Sequence, residues 1–63
     1  MSTDELNALI RLAQVLKMRC GLLANDLVKA KRGPQAGRAR KAGEEAREVE
    51  RKLASILSDI LGQ

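Results

Sequence analysis

The sequence predicts an all-α fold, an antiparallel two-helix hairpin that dimerises into a four-helix bundle. Two observations predict the hairpin: a pair of apolar series with alternating steps of three and four residues, and the Gly33-Pro34 pair that separates them. A third observation predicts the dimer, because helix 1 carries more large apolar residues than one neighbouring helix can cover. We expect one domain over residues 1–63, with helix 1 at about 3–32, the turn at about 33–36 and helix 2 at about 37–61.

Helix 1 is predicted from its start signal and its apolar series. Ser2 and Glu5 have the spacing of a capping box, which favours a helix start at this point. The series that follows is Leu6, Leu9, Ala13, Leu16, Cys20, Leu23, Leu27 and Ala30. Its steps are the heptad spacing of a helix that packs along one partner. Gly33 is expected as the C′ residue, and the interior Gly21 indicates either a close helix crossing at the dimer interface or a tolerated position facing solvent.

Helix 2 is predicted to return along helix 1. Pro34 cannot continue the first helix but can occupy the first turn of the next one. The second series is Ala39, Ala42, Ala46, Val49, Leu53, Ile56 and Ile60. An antiparallel fold about Gly33 sets Cys20 against Ala46 and Leu27 against Ala39, so that large side chains meet small ones along one register.

The surplus apolar residues of helix 1 predict an interface. They form a second face made of Ala8, Leu12, Val15 and Leu22. An exposed apolar stripe usually marks a binding surface, and a chain of this length is marginally stable alone. The chain has one cysteine and no histidine, so we expect oligomerisation, rather than a disulfide or a zinc ion, to supply the stability that a chain of this length lacks. We therefore expect helix 1 to be the inner helix of a homodimer, with another helical protein as the alternative partner.

Basic residues surround the predicted turn. They are Lys29, Lys31, Arg32, Arg38, Arg40 and Lys41, with no acidic residue between Leu27 and Gly43. The three that precede the turn suit the negative end of the dipole of helix 1. The three that follow it oppose the dipole of helix 2 if that helix begins near Pro34, and are loop residues if it begins nearer Gly43. The cluster predicts either a site for an anion or acidic partner, nucleic acid included, or a plain solvated end.

The composition favours a protein without catalytic chemistry. No histidine is present, and the glutamates of helix 2 are interspersed with lysine and arginine, which is typical of a solvated helix face. We expect no enzyme activity, cofactor or metal site. The expected function is protein–protein interaction as an assembly, adaptor or regulatory subunit that self-associates through helix 1. The alternative is a small basic regulator that binds RNA or DNA. The lone Cys20 and the acidic start of the chain favour a cytoplasmic protein that does not bind membranes.

Overall fold

The computed structural model describes residues 3–62, which form two helices packed against each other. Helix α1 runs Thr3–Lys29 and helix α2 runs Gly33–Leu61. The molecule measures 50 × 15 × 12 Å, the shape of two long helices lying side by side. The predicted all-helical hairpin is therefore confirmed. Ser2, the predicted N-cap residue, lies outside the described residues.

The turn between the helices differs from the prediction at both of its ends. Helix α1 ends at Lys29 because Lys31 adopts a left-handed conformation with φ 60°. The N–H of Arg32 donates to the carbonyl of Leu27 at 2.8 Å, and the N–H of Lys31 donates to that of Val28 at 3.0 Å. These two bonds form a Schellman motif in which Lys31 is the C′ residue. Regular helix therefore stops before the predicted boundary at 32.

Gly33 lies at the start of α2 rather than at the predicted C′ position of helix 1. Pro34 follows it in the first turn, where a residue without an N–H interrupts no helical hydrogen bond. The N–H of Ala36 donates to the carbonyl of Arg32 at 2.9 Å, so regular helix begins directly after the turn. Helix 2 therefore begins before the predicted boundary at 37.

The two helices meet along a seam of buried and half-buried residues that repeats in steps of three and four. In α1 the seam consists of Thr3, Leu6, Ile10, Ala13, Lys17, Cys20, Ala24 and Leu27. In α2 it consists of Ala36, Ala39, Gly43, Ala46, Glu50, Leu53, Leu57 and Ile60. Heptad spacing on both helices lets each keep one face turned toward the other along the hairpin.

Only about half of each predicted apolar series lies in this seam. The members found there are Leu6, Ala13, Cys20, Leu27, Ala39, Ala46, Leu53 and Ile60. The members found exposed are Leu9, Leu16, Leu23, Ala30, Ala42, Val49 and Ile56. In α1, the interior positions expected for the three leucines are occupied by Ile10, Lys17 and Ala24, one residue further along the chain. At several positions the helices therefore pack through smaller or more polar side chains than the leucines that the apolar pattern predicts.

Small residues allow the helices to approach closely at mid-length. A Cβ atom built on Gly43 would lie 3.3 Å from the Cβ of Cys20 and 3.7 Å from the carbonyl oxygen of Lys17. Cys20 therefore lies against Gly43, about one helical turn before the predicted Ala46. A Cβ atom on Gly21 would meet nothing within 4 Å, so the close approach within the hairpin depends on Gly43 and not on Gly21.

The core of the isolated hairpin is built mainly from alanine. Its buried apolar residues are Leu6, Ala13, Ala24, Ala36, Ala39 and Ala46. In the described part of the chain, Leu6 is the one large side chain among these six. Alanine contributes little apolar area compared with leucine or isoleucine, so most of the large apolar surface of the chain remains outside the seam.

We predict that Lys31→Gly stabilises the hairpin. A lysine in the left-handed region carries a steric cost that glycine does not, so the free energy of unfolding should rise by roughly 1 kcal/mol. The matched control is Lys29→Gly, in the last turn of α1, which should lower stability by a similar amount. Urea titration at one fixed protein concentration measures both. Equal destabilisation by the two variants would contradict the Schellman assignment.

Candidate functional site

The exposed members of the two apolar series that lie within the helices come together on one side of the hairpin. We call this surface the apolar flank; it comprises Leu9, Leu16, Leu23, Ala42, Val49 and Ile56. Each of them immediately precedes a seam residue, and in an antiparallel pair such positions from both helices lie on the same side. Leu16 is 54% exposed and Val49 is 49% exposed, so the flank is open to solvent along both helices.

The opposite side of the hairpin is polar at mid-length. Residues that immediately follow the seam, Gly21, Arg40 and Arg47, line one groove together with Lys17 and Gly43. Because residues from both helices line this groove, the positions that immediately follow the seam in α1 and in α2 lie on the same side of the hairpin. Glu44 also lines the groove, so three cations and one carboxylate border it. The apolar flank lies across the hairpin from this groove.

The predicted interface residues Ala8, Leu12, Val15 and Leu22 lie on the outer face of α1, and all four are exposed. Leu12 is 64% exposed, the most of these large side chains. It stands three residues after Leu9 and four before Leu16, so the outer face continues into the apolar flank.

The exposed apolar surface is thus wider than the sequence predicts. The heptad series assigns the three leucines of the flank, Leu9, Leu16 and Leu23, to the hairpin interior, whereas the structure leaves them exposed. Small residues at the alternative positions, such as Ala24 and Gly43, are the sequence signal that could have found them, because small side chains are what closely packed helices need between them.

A polar cluster crosses the seam at mid-length. Lys17 Nζ donates to Glu50 Oε1 at 3.0 Å, and Gln14 Nε2 donates to Glu50 Oε2 at 2.9 Å. The Glu50 side chain is 21% exposed and that of Lys17 is 42% exposed. The hydrogen bonds from Gln14 and Lys17, with the positive charges of Lys17 and Arg47, lower the pKa of Glu50 despite the opposing effect of burial. A polar pair within an apolar seam favours one register and one orientation of the helices.

The six basic residues of the turn region lie at one end of the hairpin, which we call the basic pole. All six are exposed: Lys29, Lys31, Arg32, Arg38, Arg40 and Lys41. In the described part of the chain, the two ion pairs are Lys17–Glu50 and Glu48–Arg51, and neither includes a residue of the basic pole. Arg40 borders the polar groove, so the cations are spread around the end of the hairpin.

The early start of α2 decides where the later cations lie. Arg38, Arg40 and Lys41 are helical residues in the second and third turns of α2, and the first turn holds no acidic residue. The sequence alone leaves open whether they belong to a helix or a loop. At this end of the molecule the dipoles of the two antiparallel helices oppose each other, so its positive potential comes from the cationic side chains before and after the turn.

Comparison of the chain with protein-family models, curated proteins and solved structures gives no match. Within residues 3–62, no three cysteine or acidic side chains come together in a way that could hold a metal ion. Neither helix has, over those residues, a stretch long and apolar enough to cross a membrane. The features that remain for a functional interpretation are the exposed apolar surface and the basic pole.

We predict that Glu50 makes stability depend on pH in the acidic range. Its pKa is lower in the folded state than its ordinary value of 4.5, so its contribution is present above that value and is lost as pH falls through the folded-state pKa. In the Glu50→Gln variant, the free energy of unfolding should therefore fall less between neutral and acidic pH than it does in the wild type. Urea titrations from neutral to acidic pH measure it. The control is Glu48→Gln, which breaks an exposed pair within α2; equal effects of the two variants would contradict the prediction.

Proposed function

We propose that this protein is a non-enzymatic helical-hairpin interaction protein that self-associates through α1 and acts as an assembly, adaptor or regulatory subunit. The observation that carries the proposal is the distribution of side-chain size. Five of the six buried residues are alanines, while large apolar side chains such as Leu12, Leu16 and Leu22 are each more than half exposed. Contiguous apolar surface of this kind is typical of an interface.

The total accessible surface supports a partner of substantial size. The hairpin exposes 4979 Å², whereas a compact folded monomer of 6.9 kDa exposes about 4,000 Å². The excess of roughly 1,000 Å² is similar to the ~800 Å² that each partner contributes to a standard protein–protein interface. A second hairpin packed side by side covers this excess and gives a four-helix bundle.

The outer faces of the two helices indicate which helix lies inside. The outer face of α1 carries Leu12, Val15 and Leu22, whereas that of α2 carries charged residues and the exposed Glu48–Arg51 pair. Burying charged residues without partners is unfavourable, so α2 suits the solvent side of the assembly. The bundle therefore has α1 as its inner helix.

The test is a double substitution on the outer face of α1. Leu12→Glu with Leu22→Glu places two carboxylates in the proposed interface and should shift the protein to monomer or unfold it. Sedimentation equilibrium at micromolar concentration, together with circular dichroism, measures both outcomes. The matched control is Lys52→Gln with Ser55→Glu on the exposed side of α2, which changes the net charge equally and should leave the assembly intact. A wild-type protein that is a folded monomer at this concentration would refute the proposal.

A second candidate function is binding of RNA or DNA through the basic pole. The observation that favours it is that six exposed cations lie at one end of the hairpin without an ion pair among the described residues. Neutralising phosphates with such cations releases counterions, which gives affinity for nucleic acid without base recognition.

This candidate predicts a salt-dependent affinity that depends on the pole. Binding to a labelled RNA or DNA duplex should weaken linearly in log K against log salt, and Arg38→Ala, Arg40→Ala and Lys41→Ala together should abolish it. The control replaces three cations outside the pole, Arg11, Arg19 and Lys52, with alanine. Fluorescence anisotropy measures the affinities. Equal losses in the two triple variants would show that net charge, and not the pole, is responsible.

A further inference from the structure

The hairpin carries opposite charge at its two ends. The basic pole lies at the turn, and no acidic residue occurs between Leu27 and Gly43. The other end, which we call the open end, contains the start of α1 and the end of α2. Over residues 3–10 and 53–62 its charged side chains are Asp4, Glu5 and Asp59, all of them acidic. The molecule is therefore electrically polar along its 50 Å length.

The apolar flank lies between these two ends, and its residues are evenly spaced along each helix. On α1 its leucines are seven residues apart and are centred on Leu16; on α2 Val49 occupies the middle position. Seven residues of helix correspond to about 10.5 Å, so each helix contributes one flank side chain every two turns. A two-fold axis perpendicular to the hairpin at its middle would bring Leu16 of one copy against Leu16 of the other, and Leu9 against Leu23.

The charges distinguish the two orientations that a symmetric pair could take. A parallel pair would place the two basic poles side by side, where their like charges repel within the ~8 Å screening length at physiological salt. An antiparallel pair places each basic pole beside the open end of the other copy, where Glu5 and Asp59 offer opposite charge. A surface that is positive at one end, negative at the other and apolar between them is complementary to itself under a perpendicular two-fold axis.

From this self-complementarity we propose that a second copy of the chain covers the apolar flank in antiparallel orientation, with each basic pole beside the partner's open end. The inference rests on the proposed self-association and adds to it the surface at the centre of the interface and the direction of the chains. It places the flank leucines, rather than the outer face alone, at the two-fold axis. It also sets the two basic poles at opposite ends of the bundle.

Distances between spin labels test the orientation. In a Cys20→Ala background, a label at Gln35→Cys marks the turn and a label at Ser58→Cys marks the open end; both sites are exposed. Pulsed electron paramagnetic resonance should give, for either label alone, a distance between copies comparable to the 50 Å length of the hairpin. A mixture of the two labelled proteins should add a much shorter distance. A short distance within the Gln35→Cys sample would overturn the antiparallel arrangement while leaving self-association intact.

A matched pair of substitutions tests the surface. Leu16 is 54% exposed on the apolar flank, and Val28 is 48% exposed on the other side of the seam, away from both the flank and the outer face, so neither change disturbs the seam. Leu16→Gln should weaken dimerisation at least about tenfold, because two copies of the residue leave the interface. Val28→Gln should leave it unchanged. Sedimentation equilibrium measures both, and equal dimerisation of the two variants would overturn the flank assignment. A monomeric wild type would instead refute the proposed function itself.

Discussion

The close approach of the two helices at Gly43 and Cys20 is the constraint on which the rest of the structure depends. A Cβ atom at Gly43 would lie only 3.3 Å from that of Cys20, so a larger seam residue at this point would force the helices apart. Alanines continue the same narrow spacing toward the turn, at Ala24, Ala36 and Ala39. Packing at this point favours small side chains; large seam residues such as Leu6, Leu53 and Ile60 lie toward the other end of the hairpin, and most of the remaining large apolar side chains lie on the flank and the outer face.

A narrow seam contributes limited apolar burial, and polar contacts add the specificity that alanine lacks. A seam of alanines packs almost equally well when one helix is shifted by a heptad, so small residues alone would not select one register. Lys17, Gln14 and Glu50 prevent this because both carboxylate oxygens of Glu50 accept hydrogen bonds in one register. The partial exposure of the cluster keeps the desolvation of its charges small, which makes a charged pair tolerable between packed helices.

The proposed assembly and the basic pole are physically compatible. Packing through the apolar flank removes large side chains from water without covering the turn, so the cations remain accessible in the antiparallel bundle. Separation of the two poles to opposite ends limits their mutual repulsion. A bundle of this kind presents two equivalent basic ends and a charged outer surface on α2, which suits a protein that joins other components together.

The sequence by itself determined the two helices, the turn near Gly33-Pro34, the exposed outer face of α1 and the clustering of cations. It could not determine which side chains close the hairpin, because two series offset by one residue have the same spacing. Because Leu16 is more hydrophobic than Lys17, the apolar pattern predicts that the leucines occupy the seam. Only the tertiary structure placed Lys17 there, since its ion pair with Glu50 and the close approach permitted by Gly43 both depend on the other helix. It also placed Lys31, and not a glycine, at the left-handed turn position, because the hydrogen bonds of the Schellman motif set where α1 ends.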